Sequence, residues 1–144
     1  MLNWTGDTAA GLQLLGGFAG ALGRAGQVAE GLVAIEEALA RSDRTEARWY
    51  MAELLRVKGE LILLRGAPNC VEAGQDQFLK SLDWARRQGA LAWELRTATS
   101  LARLWRDESR VPEARELLTP IYDRYTEGFG TADLVASKTL LESL

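Results

Sequence analysis

The sequence predicts an all-α protein of about seven helices, and three observations carry that prediction. Apolar residues recur at helical spacing in nearly every stretch. Ala, Leu, Glu and Arg dominate, with only three prolines in 144 residues, which is helix-forming material. No run alternates apolar and polar residues in the manner of a half-buried strand.

The elements follow in order. Leu15, Phe18, Ala19 and Leu22 form the apolar face of a first helix that ends near Gly23, with Gly26 in the turn. Val28, Leu32, Ile35 and Leu39 stripe a second helix, closed by Ser42 and Asp43. Leu54, Leu55, Leu61, Ile62 and Leu64 mark a third, longer helix, stopped by Arg65-Gly66-Ala67-Pro68. Cys70 falls in the loop that follows. Phe78, Leu79, Leu82 and Ala85 belong to a fourth helix ended by Gly89, and Leu91, Leu95, Ala98, Leu101 and Trp105 to a fifth. Pro112 sits where a sixth begins, in the first turn, where proline costs the helix no hydrogen bond; Ala114, Leu117, Leu118 and Ile121 follow. Gly128 and Gly130 break the chain. Thr131 is the expected N-cap of a last helix over 131–144 that carries Leu134, Leu140 and Leu141.

Composition narrows the function. Hydrophobic residues make up 47% and charged residues 26%, with a formal charge of −3. That near-neutral balance supplies no basic field for nucleic acid or an anionic membrane. The lone cysteine has no internal disulfide partner and suits a reducing cytoplasm. Thr8 to Gly23 is apolar enough to be checked as a signal peptide, but residues 1–7 contain no Lys or Arg. The stretch is also too short to span a bilayer, so it is expected to be a buried helix.

Catalytic recipes are not met. There is no histidine, and the lysines are Lys58, Lys80 and Lys138, with no Ser-x-x-Lys spacing. A nucleophile therefore lacks its usual base. One Cys without His does not make the common zinc shell, and no Gly-x4-Gly-Lys-Ser/Thr phosphate loop occurs. Glu36 and Glu37 fall on a solvated helix face. Neither an enzyme nor a cofactor or metal site is expected.

Internal repetition carries the organisation further. With Gly26, Gly66 and Ser109 aligned as turn residues, three helix pairs superpose over 12–43, 52–88 and 95–126, all within one domain. The first helices offer Leu15/Phe18/Ala19/Leu22, Leu55/Gly59/Ile62 and Ala98/Leu101/Ala102/Trp105. The second helices offer Gly31/Ile35/Ala38, Gly74/Phe78/Ser81 and Ala114/Leu118/Ile121. Small residues at Ala19, Gly59 and Ala102 let paired helices approach closely, while bulky ones fill the space toward the next pair. This arrangement is similar to that of the tetratricopeptide repeat. Leu15, Leu55 and Ala98 correspond, a period of about 40 residues against the family's 34.

The wording of the repeats narrows the resemblance. It lies in Arg48-Trp49-Tyr50-Met51-Ala52-Glu53-Leu54 with Lys58-Gly59-Glu60-Leu61, and in Arg86-Arg87-Gln88-Gly89-Ala90. Trp93-Glu94-Leu95-Arg96, Ser100-Leu101-Ala102-Arg103-Leu104-Trp105 and Tyr125-Thr126-Glu127-Gly128-Phe129 before Thr131-Ala132-Asp133-Leu134 complete it. From Ala21 to Leu144 the chain resembles the C-terminal tetratricopeptide region of large bacterial signalling ATPases. In these the region follows an ATPase module, often headed by an adenylate cyclase or a winged-helix transcription-regulator domain. The resemblance implies a right-handed α-α superhelix with a docking or regulatory role, as the C-terminal part of a larger protein, and no cyclase or ATPase activity.

Such repeats bind protein or peptide partners on the concave face, lined by the first helix of each pair. The repeat alignment puts Gln13, Arg24, Glu53, Arg56, Glu60, Arg96, Thr99, Arg103 and Arg106 there. Arginines of the third repeat suit an acidic or phosphorylated segment through forked hydrogen bonds. The bland alternative is i,i+4 surface pairing of Arg56 with Glu60 and Arg103 with Asp107. Gly16 and Gly20, four apart, allow another helix to pack closely, either within the chain or in self-association. Two further functions stay open: a small-molecule inducer sensor and a homo-oligomerisation scaffold.

Overall fold

The computed structural model describes residues 9–44 and 48–144, with side chains from Leu15 to Asp43 and from Arg48 onward. Seven α-helices run through the described residues, which contain no strand: α1 (Ala9–Arg24), α2 (Val28–Arg44), α3 (Met51–Arg65), α4 (Cys70–Gln88), α5 (Leu91–Asp107), α6 (Val111–Tyr122) and α7 (Ala132–Ser143). A 3₁₀ turn, Arg48–Tyr50, leads into α3. None of these helices is long and apolar enough to cross a membrane. The chain divides into two compact units, residues 1–81 and 82–144, and the division falls inside α4.

The three turn residues aligned from the sequence share one backbone state. Gly26, Gly66 and Ser109 have φ of 85°, 69° and 61°, all left-handed. The chain must reverse direction directly after α1, α3 and α5, and a left-handed residue does this by turning the last carbonyls toward the returning strand of backbone. At two of the turns the closing bond is the same. The Gln27 N–H donates to the Leu22 carbonyl at 2.8 Å, and the Arg110 N–H to that of Trp105 at 2.7 Å. Ser109 adopts this state with a Cβ present, which costs about 1–2 kcal/mol relative to glycine.

The small residues meet where paired helices cross. A Cβ on Gly31 of α2 would lie 2.8 Å from the carbonyl oxygen of Ala19 in α1. A Cβ on Gly59 of α3 would lie 3.2 Å from the carbonyl oxygen of Gly74 in α4, and 2.6 Å from the ring of Phe78. In the third pair the corresponding residues, Ala102 of α5 and Ala114 of α6, are both fully buried in one cluster. Ala19, Gly59 and Ala102 each precede their left-handed turn residue by seven positions. The same left-handed state and closing bond also follow α4, where Gly89 has φ 66° and the Ala90 N–H donates to the Ala85 carbonyl at 2.9 Å.

Within residues 1–81, Ile35, Leu54, Leu61 and Phe78 are buried almost completely, and the Ser81 hydroxyl donates to the Ala52 carbonyl at 2.6 Å, tying α4 to α3. Within residues 82–144, Leu82, Leu95, Ala98, Leu118, Ile121, Leu134 and Leu140 form the core, with Trp105 and Tyr125 packed against it. The last helix, α7, packs on α5 and α6.

Several local expectations need correction. The third helix, at 15 residues, is shorter than α1 and α2, at 16 and 17; the 3₁₀ turn makes up the length. Phe18 and Leu79, expected on core stripes, are 57% and 45% exposed. On α1 the packing side is instead the small-residue side, Gly16, Ala19 and Gly23, all buried. Cys70 opens α4 rather than lying in a loop, and α2 continues through Ser42 to Arg44. Thr131 stands at the N-cap position in extended conformation, but its hydroxyl makes no capping bond.

Candidate partner-binding surface

Three of the residues expected on the partner surface come together in residues 1–81, beside one of the two glycines expected to pack a helix. Gly20 and Arg24 of α1 and Arg56 and Glu60 of α3 line one cleft of about 140 Å³, with Val57, Leu61 and Leu64 as its apolar part. A Cβ on Gly20 would lie in ordinary contact with Arg24, 3.4 Å from a guanidinium nitrogen. Gly16, one turn earlier, is buried against Leu54 and Tyr50. That small-residue face is thus occupied within the chain, by α3 and the 3₁₀ turn rather than by α2. Gln13 lies outside the described side chains.

Charge inside the cleft is partly spent. Glu53 is buried, and both its oxygens accept from Arg56, each at 2.8 Å. This forked pair satisfies a carboxylate that burial would otherwise penalise. The partner of Arg56 is therefore Glu53, three residues earlier, and not Glu60. Arg24 and Glu60 take part in no ion pair among the described residues, so they are the charges the cleft presents outward.

The third-pair residues separate into different roles. Arg96 is clasped by Asp133 at the start of α7, with Nη2–Oδ2 at 2.8 Å and Nε 3.2 Å from both oxygens. Thr99 is buried and its hydroxyl donates to the Leu95 carbonyl at 2.8 Å, so it does not line an open face. Arg106 contacts Asp107, its sequence neighbour, at 3.1 Å, displacing the expected Arg103–Asp107 pair. Arg103 is exposed and has no ion pair among the described residues.

Sequence reasoning missed a polar cluster around the start of α5. The buried Glu94 carboxylate accepts from Arg86 at 3.1 Å and from Arg124 at 3.0 Å. Tyr125 lies in the same field. Burial, then the carboxylates of Asp133 and Glu94, push its phenol above the ordinary value, and Arg124 opposes them. These partners stand 8, 30 and 37 residues apart in sequence, beyond any helical spacing rule. The one signal was wording: every member except Arg124 belongs to a segment that carried the tetratricopeptide resemblance. Those segments encode a clasp that holds α7 and the α6–α7 connection onto α5.

A depression of about 610 Å³ in residues 1–81 is an open groove between α2 and α3 with Leu32, Val33 and Ile62 as its apolar residues. Lys58 bridges to Glu36 across it at 3.0 Å. No family model, curated protein or solved structure matches the chain.

Proposed function

We propose that this chain is a tetratricopeptide-like repeat module that binds a protein partner and performs no chemistry of its own. It serves a larger bacterial signalling protein of the cyclase- or ATPase-linked kind, in the cytoplasm, with its three helix pairs wound as a right-handed superhelix. The observation that carries this reading is the recurrence of one helix-pair design. A left-handed turn residue stands seven positions after a small residue at each of the three pairs, at Gly26, Gly66 and Ser109. Repetition of a unit that packs on its neighbours is the physical definition of a repeat protein, and such proteins act by presenting surface.

The clefts support a partner over a small effector. An inducer site needs an enclosed apolar pocket with a few converging polar groups. The α2–α3 groove is instead open and edged with charge, and the α1–α3 cleft, about 140 Å³, is small beside the roughly 300–1,000 Å³ of a ligand pocket, which suits a peptide or a protein surface. The outward charges Arg24, Glu60 and Arg103 are the residues assigned to contact. Arg96 and Thr99 belong to the framework.

The test uses the immobilised chain and an Arg24→Glu/Arg103→Glu variant, compared by quantitative mass spectrometry of retained bacterial proteins. Neither substitution breaks an ion pair among the described residues, so helicity should be unchanged. A protein retained by the wild-type chain and depleted about tenfold or more on the variant is expected, since removing the partner of an interface charge costs at least 1.4 kcal/mol. Equal retention of every protein by both would overturn the assignment of this surface.

A further inference from the structure

We propose that the outer face of α6 is a two-fold contact between two copies of this chain. One side of α6 is committed to the core through Ala114, Leu118 and Ile121. The opposite side carries Pro112, Arg115, Glu116, Thr119, Pro120 and Asp123, which line a shallow depression of about 600 Å³. All six lie on one helical face, and all but Thr119 are exposed.

The arrangement of charge on this face identifies its occupant. Some outward arginines are paired close in sequence, as Arg41 is with Glu37, Arg87 with Asp83 and Arg110 with Glu113, and others, like Arg24 and Arg103, have no such pair among the described residues. Arg115 and Asp123 have no ion pair among the described residues. They lie at the ends of one ridge, Arg115–Thr119–Asp123, spaced by four residues and thus about 12 Å long. Such a ridge is complementary to itself in one sense only. Laid antiparallel on a second copy, with the two-fold axis at Thr119, Arg115 of each copy meets Asp123 of the other, twice. Laid parallel, like charge meets like. Thr119 is the smallest side chain of the ridge and stands at the crossing, where close approach is needed. A self-complementary patch used by both copies is an isologous interface. Self-association thereby moves from the α1 glycines, where Gly16 is buried, to α6.

Sedimentation equilibrium of the full chain from micromolar to millimolar concentration tests this. The wild-type chain should rise from one chain mass to two. Arg115→Glu and Asp123→Arg each replace two attractive pairs by two repulsive ones, so each alone should weaken dimerisation about tenfold or more. An equimolar mixture of the two variants should restore it, because positions 115 and 123 again face each other with opposite charges. A chain that stays monomeric throughout overturns the proposal and leaves the face to a different kind of partner. A dimer indifferent to both reversals places the contact elsewhere. Weakened variants that do not rescue each other in the mixture overturn the antiparallel register.

Discussion

In residues 1–81 the helices approach one another over glycines, whereas in residues 82–144 they do so over alanines. Gly31 faces the Ala19 carbonyl and Gly59 faces the Gly74 carbonyl, while Ala98, Ala102 and Ala114 fill the equivalent part of the second unit. Glycine brings backbones closest, but each one in a helix costs about 1 kcal/mol relative to alanine. The first unit therefore trades helix stability for tight crossings. The second keeps its propensity and adds charge clasps through Glu94 and Asp133. The difference teaches where the first unit alone is vulnerable, to added volume at its crossings; charge matters in both, through Glu53–Arg56 in the first and through Glu94 and Asp133 in the second.

The largest effect should come from breaking a glycine crossing. Gly31→Ala places a methyl group 2.8 Å from a backbone oxygen that has no freedom to swing away. Overpacking of this kind costs about 1–3 kcal/mol, of which the helix recovers about 1. A net loss of up to about 2 kcal/mol is expected in urea denaturation followed by circular dichroism. Gly17→Ala is the matched control, since nothing lies within 4 Å of a Cβ there. It should gain up to about 1 kcal/mol. If both substitutions shifted stability in the same direction, the crossing would not be what demands glycine at position 31.

A smaller effect tests the second unit. Asp133→Asn removes the charge that clasps Arg96, in a pair whose side chains are 39% and 34% exposed. Pairs this open to water contribute about 1 kcal/mol or less, and salt screens them. The expected loss is therefore at most about 1 kcal/mol in dilute buffer and shrinks at high salt. Charge removal at Lys80, which pairs with Asp76 at a surface 58% exposed on both sides, should cost less still. A salt-independent loss at Asp133 would mean that packing, not charge, holds the start of α7.

Helices and turns were legible because their causes are local. Apolar spacing located all seven helices, and alignment picked out Ser109 as the equivalent of Gly26 and Gly66 although it is not a glycine. Its φ is positive, as theirs are. Two kinds of feature were not legible. On α1, Leu15, Phe18 and Leu22 suggested one face, but the residues that allow closest approach were the glycines, which have no side chain to count. Phe18 consequently faces outward. Ion partners were hidden for a different reason. Glu53 and Arg56 fall at a permitted helical spacing, yet so do Arg56 and Glu60, and only the fold decides between them. Glu94 with Arg124, 30 residues apart, has no local signature at all. Of the surface residues expected from the alignment, those left outward are the ones the clasps did not recruit.

The smallest effect concerns Tyr125, and its sign follows from where the phenol sits. Burial and the carboxylates of Asp133 and Glu94 raise its pKa, with Arg124 opposing. A raised folded-state value means the folded chain holds the phenolic proton more tightly than the unfolded chain does. The resulting stabilisation is full below the ordinary tyrosine value, about 10, and is lost as pH rises through the folded value. Tyr125 is partly open to solvent, so the effect is modest and is read against a reference. The discriminating measurement is therefore a difference: thermal unfolding of the wild-type chain and Tyr125→Phe, followed from neutral pH to about pH 11. The wild-type chain should lose more stability than the variant over the alkaline part of that range, with the two curves running parallel at neutral pH. Parallel curves throughout would remove Tyr125 from the charge cluster and leave Glu94 and Asp133 as the whole of the clasp on α5.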